Sequence, residues 1–170
     1  STTTFSYNGW APYRPFIGNF NGDNYDDYIF RRFQGNSALH TARSDVNGKL
    51  TTKGYEIGNG WSDYKWTLIG DVNKDGSDDI IICNRKGGAI NVFRGNGTDG
   101  IINSRITSNI GRKSNDSGSN AYLVDFNEDG VYDLLWNDLN GGENGNQMQV
   151  GIADGTGKFV GGGGVIAHPS

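Results

Sequence analysis

The chain has very little of several residues on which common protein chemistries depend. Its 170 residues include 1 Cys, 2 His, 3 Pro and 1 Met. Cys83 alone cannot form an internal disulfide, and His40 and His168 are too few for histidine-rich metal or relay chemistry. No apolar run approaches the roughly 18 residues of a membrane-spanning helix, so the sequence predicts no membrane insertion. With 34% hydrophobic and 12% aromatic residues, the chain can still bury the core of one globular domain.

Acidic residues are concentrated in three short segments. Loop 1 (residues 19–27), loop 2 (71–79) and loop 3 (125–133) hold 11 of the 19 acids. The three segments align without gaps, and their first residues lie 52 and 54 residues apart. A fixed period of this size is typical of repeat architectures. We number the aligned residues as positions 1 to 9.

Four positions carry an oxygen side chain in every loop. Positions 1, 3, 5 and 9 are Asn19, Asn21, Asp23 and Asp27, then Asp71, Asn73, Asp75 and Asp79, then Asp125, Asn127, Asp129 and Asp133. Ca²⁺ takes about six to eight oxygen ligands, which a tight coil can supply from alternate side chains. Position 7 varies in chemistry (Tyr25, Ser77, Val131), as expected if its backbone carbonyl is the ligand. The sequence therefore predicts up to three Ca²⁺ sites.

Position 6 should lie at the sharpest bend of each loop. Gly76 and Gly130 tolerate a positive φ there, and Asn24 does so better than most residues. Loop 1 also has Asn19 where the other loops have Asp, so we expect it to bind calcium most weakly. Asp, Asn and Gly also form turns without a metal, but the agreement of three copies favours calcium.

The segments differ from an EF-hand three residues after the loop, at position 12 if the same numbering is continued. An EF-hand places a bidentate Glu there, at the start of a helix, whereas these copies have Phe30, Ile82 and Trp136. Short apolar runs rich in β-branched and aromatic residues flank each loop and are typical of buried strands. Each loop is therefore predicted to join strand to strand, with Trp66 and Trp136 in the core.

The remainder of each repeat predicts two further strands separated by a glycine-marked turn. We therefore predict an all-β fold of three four-stranded β-propeller blades. Their approximate bounds are 8–60, 61–110 and 111–161, with 1–7 as the closing strand of a neighbouring blade and 162–170 as a tail. The glycine runs at 141–142 and 161–164 are predicted to be loops, and no helix follows them that would make a phosphate site.

The loop motif resembles a known repeat. Residues 69–80 read Ile-Gly-Asp-Val-Asn-Lys-Asp-Gly-Ser-Asp-Asp-Ile, and 17–28 and 124–135 are their counterparts. This pattern resembles the FG-GAP/VCBS repeats of integrin α-subunit propellers, bacterial surface proteins and fungal propeller lectins. The resemblance implies a calcium-binding β-propeller. Two departures, the absence of Gly-Ala-Pro and Val124 in place of glycine before loop 3, make it more similar to the microbial repeats.

Three blades are fewer than the four to eight that usually close a propeller. The chain is then either a piece of a longer array or one half-ring of a homodimer. We expect assembly, because an isolated wedge of three blades would expose large apolar faces.

Two functions are open for such a scaffold. Carbohydrate binding is suggested by the resemblance to lectins and by four aromatic residues at or near repeat-equivalent positions, which are Trp10, Tyr13, Trp61 and Tyr64. An aromatic face beside polar groups suits a sugar, although the same rings could instead wedge adjacent blades together. The alternative is a calcium-rigidified module for protein interaction or adhesion, accessory to an enzyme.

Other activities have little support in the residues. We expect no catalysis, because the clustered carboxylates are explained as metal ligands and Cys83 follows an apolar run that should be buried. Nucleic acid is not an expected partner, since the net charge is −4 and the bases are dispersed. Calcium loops fill where calcium is plentiful, which predicts a secreted or cell-surface protein with a glycan or an extracellular protein as partner.

Overall fold

The computed structural model describes residues 13–32, 38–56, 64–84, 89–95, 97, 101–110, 120–138 and 147–167. These ranges form twelve strands and contain no helix. The strands are β1 (Tyr13–Gly18), β2 (Asp27–Arg32), β3 (Ala38–Ser44), β4 (Leu50–Glu56), β5 (Tyr64–Gly70), β6 (Asp79–Asn84), β7 (Ala89–Gly95), β8 (Ile101–Asn109), β9 (Asn120–Val124), β10 (Asp133–Asp138), β11 (Gln147–Ala153) and β12 (Phe159–Ala167). The described residues include no helix that is long and apolar enough to cross a membrane.

The strands form three sheets that repeat along the chain. Sheet 1 has the order β1-β2-β3-β4, sheet 2 the order β5-β6-β7-β8, and sheet 3 the order β9-β10-β11-β12. Every pairing is antiparallel. This confirms the predicted fold class of three four-stranded, blade-like repeats.

Sheet 2 lies between the other two sheets and is buried on both faces. Along β6, Ile80 and Ile82 belong to a core shared with sheet 1, whereas Ile81 and Cys83 belong to a core shared with sheet 3. All four side chains are fully buried, because successive strand residues point to opposite faces. Burying each isoleucine contributes on the order of 2 kcal/mol. Cys83 is a small core side chain, as predicted.

Large side chains fill the space between the sheets. Trp136 is 1% exposed, and its ring lies 4.8 Å from that of Trp66 in an edge-to-face arrangement between sheets 2 and 3. Between sheets 1 and 2, the fully buried Arg31 donates a 2.6 Å hydrogen bond from Nη1 to Thr67 Oγ1. Burial lowers the Arg31 pKa to about 10, so the guanidinium remains charged at neutral pH. The prediction that Trp66 and Trp136 pack in the core is confirmed.

The glycine run at 161–164 forms a strand, which corrects the loop prediction. These residues lie inside β12, where Gly161 pairs with Gly151 and Gly162 with Val150. The register then shifts between Gln149 and Val150, as a β-bulge does, and glycine within a strand often marks a bulge. The backbone pairing with β11 thus overrides the low strand preference of glycine. β12 continues to Ala167, beyond the predicted start of a tail; residues 1–7 and 141–142 lie outside the described ranges.

Candidate metal loops

The three predicted loops occupy equivalent places in the three sheets. Each connects the first strand of its sheet to the second, and position 9 is the first residue of that second strand. The loops also contact one another. Asn19 in loop 1 bonds to Asp78 in loop 2, and Lys74 in loop 2 bonds to Asp129 in loop 3. All three loops therefore lie at one end of the stack of sheets.

Two side-chain oxygens converge on a single backbone amide in every loop. The amide N–H of position 5 donates to the oxygens of positions 1 and 3, over the same sequence spacing each time. The N···O distances are 3.1 and 3.1 Å in loop 1, 3.3 and 3.0 Å in loop 2, and 3.0 and 3.2 Å in loop 3. The oxygens of positions 1 and 3 thus lie close together, as two ligands of one cation must.

The position-5 aspartate is held by its neighbours on both sides. Its Oδ2 accepts from the Asn side chain of position 3 at 2.7, 2.9 and 2.8 Å in loops 1, 2 and 3. Its Oδ1 accepts from the amide of position 7 at 3.0, 2.9 and 2.8 Å. Because the asparagine donates through nitrogen, its oxygen is left to accept from the position-5 amide.

Two residues of each loop adopt a left-handed backbone conformation. At position 6, the φ angles are 66° for Asn24, 85° for Gly76 and 81° for Gly130, as the sequence predicted. Position 4 also has positive φ, at Gly22, Lys74 and Glu128. Sequence reasoning missed position 4, because Lys and Glu do not signal this conformation.

The position-9 aspartate anchors the loop to the rest of its sheet. Asp27, Asp79 and Asp133 are at most 2% exposed. Their Oδ1 atoms accept from the amide of the last residue of the third strand, at 2.9, 2.9 and 2.8 Å. In loops 2 and 3 the Oδ2 atom also accepts from the amide of position 2, at 3.1 Å in each. The buried Oδ2 of Asp27 has no hydrogen bond in the described structure.

Burial changes the proton affinity of these anchors. Desolvation raises the pKa of Asp79 to about 7, against the opposing effect of the Val72 and Gly95 amides. Desolvation likewise raises the pKa of Asp27, opposed by the Ser44 amide. A nearby cation favours the ionised form of a carboxylate, so both residues would gain from a positive charge in the loop.

The donor set of the loops fits a hard cation. Positions 1, 3, 5 and 9 supply only carboxylate and amide oxygens, which suit Ca²⁺. Within the described ranges, no three Asp, Glu, His or Cys side chains form a group that could hold a metal ion by themselves. A calcium site here would therefore depend on the asparagine at position 3 and the carbonyl at position 7, as well as on the aspartates.

The four aromatic residues proposed for sugar binding are only partly covered by the structure. Trp10 and Trp61 lie outside the described ranges, and Tyr64 is described only as the first residue of β5, opposite Asn84. Tyr13 begins β1, at the end remote from loop 1. Its hydroxyl lies 3.2 Å from His40 Nε2, and the two rings meet edge to face at 5.2 Å. The tyrosine ring is thus held in place at the opposite end of sheet 1 from the metal loop.

A comparison with known protein families supports the identification of the repeat. Residues 71–136 match the family model of the FG-GAP-like repeat. This range starts at position 1 of loop 2 and includes the whole of loop 3, so it contains two of the three loops on which the resemblance rests, and loop 1 lies outside it. The match confirms that this part of the chain is an FG-GAP-like repeat and indicates a β-propeller-type interaction module. A search of curated proteins found no match to the chain.

Proposed function

We propose that the chain is a calcium-binding interaction module whose three loops each hold one Ca²⁺, with loop 1 the weakest. The observation that carries this proposal is the convergence of the position 1 and position 3 oxygens on one amide in all three loops. Bound calcium would be coordinated by the remaining lone pairs of these oxygens, beside the amide N–H from which they accept. The residues of the chain supply the shape, because positions 4 and 6 bend the backbone and position 9 fixes the loop to its sheet.

Isothermal titration calorimetry of the calcium-free protein tests this proposal. We expect Asp71→Ala and Asp129→Ala each to remove one binding event, because loop 2 loses its position-1 carboxylate and loop 3 its position-5 carboxylate. Asp45→Ala is the matched control, since Asp45 caps an ordinary turn by accepting from Asn47 and Lys49 outside the loops. Unchanged stoichiometry in both loop variants, or no calcium uptake by the wild type, would contradict the proposal.

The ligand of the module is proposed to be a carbohydrate. Tyr13 supports this idea, because a fixed and half-buried ring beside a polar histidine presents the apolar face and hydrogen-bonding edge that a sugar needs. Trp10, Trp61 and Tyr64 belong to the same proposed sugar site because they lie at or near repeat-equivalent positions in the sequence. A secreted or cell-surface location is part of the same proposal, since the loops need abundant calcium.

A glycan array probed with and without EDTA tests sugar binding. We expect specific glycans to bind in calcium, and Tyr13→Ala or Trp61→Ala to reduce the signal. Tyr122→Ala is the control, because Tyr122 is a 50% exposed tyrosine of sheet 3 that does not belong to the proposed set. If the wild type binds no glycan, the module is better explained by the second candidate, a calcium-rigidified surface for protein interaction or adhesion. The FG-GAP-like match favours that candidate.

A further inference from the structure

At both boundaries between neighbouring sheets, a glycine that precedes a loop packs closely against the next sheet. Gly18, immediately before loop 1, lies against Ile69 and Asp78 of sheet 2. A Cβ at Gly18 would lie 2.6 Å from Ile69 Cγ2 and 2.8 Å from Asp78 Oδ2. These distances are far inside the roughly 3.5–4.0 Å of a favourable carbon contact, so this approach requires glycine.

The contact between sheets 2 and 3 repeats the arrangement. Gly70 precedes loop 2, and a Cβ there would lie 2.9 Å from Leu123 Cδ1 and 3.1 Å from Tyr132 Cδ2. Leu123 and Tyr132 are the sequence equivalents of Ile69 and Asp78. In both contacts, therefore, the glycine that precedes the loop of one sheet leaves room for two side chains of the next sheet along the chain.

Sheet 1 has the side chains that would pack against such a glycine, but no sheet is described against them. Ile17, the equivalent of Ile69 and Leu123, is 55% exposed. Tyr25 at position 7 is 42% exposed, whereas its equivalents Ser77 and Val131 are 3% and 7% exposed. Asp26 at position 8 is also exposed. The outer face of sheet 1, defined by Ile17, Tyr25 and Asp26, thus keeps the side chains that sheets 2 and 3 use for docking.

Sheet 3 cannot offer the matching glycine, because Val124 occupies that position. We propose that the outer face of sheet 1 docks a further sheet of the same repeat type that has glycine immediately before its loop, and that Val124 prevents sheet 3 of a second copy from taking this place. Repeating the internal contact between copies would drive the valine side chain into the second copy's Ile17 and Asp26. This docking does not require calcium, and the valine disfavours the half-ring homodimer suggested by the number of repeats.

One substitution in this chain creates a sheet that the outer face of sheet 1 can dock. In Val124→Gly, sheet 3 gains a glycine immediately before its loop, which leaves room for the outer face of sheet 1 of a second copy. We therefore expect head-to-tail association that increases with concentration in sedimentation velocity experiments. Adding Ile17→Asp to that variant should restore the monomer. Val124→Ala is the matched control and should stay monomeric, because the Cβ is the clashing atom at Gly18 and alanine retains it.

Three results would overturn the inference. They are a wild-type dimer that Ile17→Asp dissociates, a folded Val124→Gly variant that stays monomeric, and association of Val124→Ala as strong as that of Val124→Gly. If Val124→Gly does not fold, Gly18→Ala tests the same requirement for glycine inside one chain. We expect it to lower the melting temperature by roughly 4–10 °C through overpacking, and an unchanged melting temperature would refute that requirement.

Discussion

Asp78 and Asn19 form a reciprocal pair of hydrogen bonds that joins loop 2 to loop 1. The Asn19 amide donates to Asp78 Oδ2 at 2.7 Å, and the Asp78 amide donates to the Asn19 carbonyl at 2.7 Å. The two residues are 59 apart in sequence and belong to different sheets. Desolvation raises the pKa of Asp78, opposed by the Asn19 amide. The pair therefore fixes the relative position of two candidate metal loops.

Removing the Asp78 side chain should weaken the contact between sheets 1 and 2. Asp78→Ala leaves the Asn19 amide without its carboxylate acceptor, which we expect to cost about 1–3 kcal/mol of unfolding free energy. Asp78→Asn keeps an oxygen acceptor and should cost less. Urea unfolding monitored by tryptophan fluorescence measures both variants. Equal stability of Asp78→Ala and the wild type would show that the side-chain bond contributes nothing.

Glycine at position 6 should be favoured over alanine for backbone reasons alone. Gly76 has a φ of 85°, and no atom lies within 4 Å of the place where its Cβ would be. Gly76→Ala is therefore expected to cost about 1–2 kcal/mol from the left-handed conformation, measured in EDTA to exclude effects of metal binding. Gly76→Asn should cost less, because Asn24 occupies the equivalent position of loop 1 with a φ of 66°.

Gly161 provides the control for that substitution. It also has open space around its Cβ position, but it lies exposed in β12 without a positive φ. We expect Gly161→Ala to change stability by no more than about 0.5 kcal/mol. A loss at Gly161 as large as that at Gly76 would contradict the conformational explanation.

Adding a carboxylate to loop 1 should strengthen its calcium binding. Asn19→Asp gives loop 1 the same position-1 ligand as Asp71 and Asp125, and the number of charged ligands tunes calcium affinity over decades. We expect the weakest dissociation constant to fall by roughly tenfold or more in calorimetry. Asn47→Asp adds the same charge in an exposed turn outside the loops and should leave it unchanged. An equal gain in both variants would indicate general electrostatic attraction instead.

His40 should make the protein less stable in acid. Burial, and next the charge of Arg32, hold the pKa of His40 below its usual 6.5, so folding favours the neutral ring that contacts Tyr13. The unfolded chain then takes up a proton at higher pH than the folded chain, and stability falls as the pH drops through 6.5 toward the lower folded value.

The test compares urea unfolding of the wild type and His40→Gln at about pH 7.5 and about pH 5.5. Glutamine keeps a hydrogen-bonding group near Tyr13 but does not titrate. Asp79, whose raised pKa acts in the opposite sense, is present in both proteins, so we expect acidification to destabilise the wild type relative to the variant. An identical loss in both proteins would show that His40 does not carry this pH dependence.

The sequence predicted the strands and loops well where local chemistry decides them. The run Ile80–Ile82 and its flanking turn residues indicate a buried strand without knowledge of the fold. The left-handed bend at Gly76 and Gly130 follows from the residue type. Local signals failed at the glycine run 161–164, because pairing with β11 determines its structure.

The role of the position-9 aspartate shows why the rest of the site could not be predicted. The sequence places an oxygen at Asp79, but its bond to Gly95 depends on where β7 ends beside β6. The pairing of Asp78 with Asn19 likewise depends on how two sheets pack. Such contacts join residues far apart in the chain, so no local pattern specifies them.

The sequence by itself determined three repeats, each with an oxygen-rich bend between two strands, because turn geometry and apolar patterning are local properties. Only the tertiary structure decided which sheet face each residue of β6 covers, which glycines admit a neighbouring sheet, and that Ile17 remains exposed. Those outcomes depend on steric fit between surfaces from distant parts of the chain. Position 7 is therefore buried at Ser77 in loop 2 and exposed at Tyr25 in loop 1.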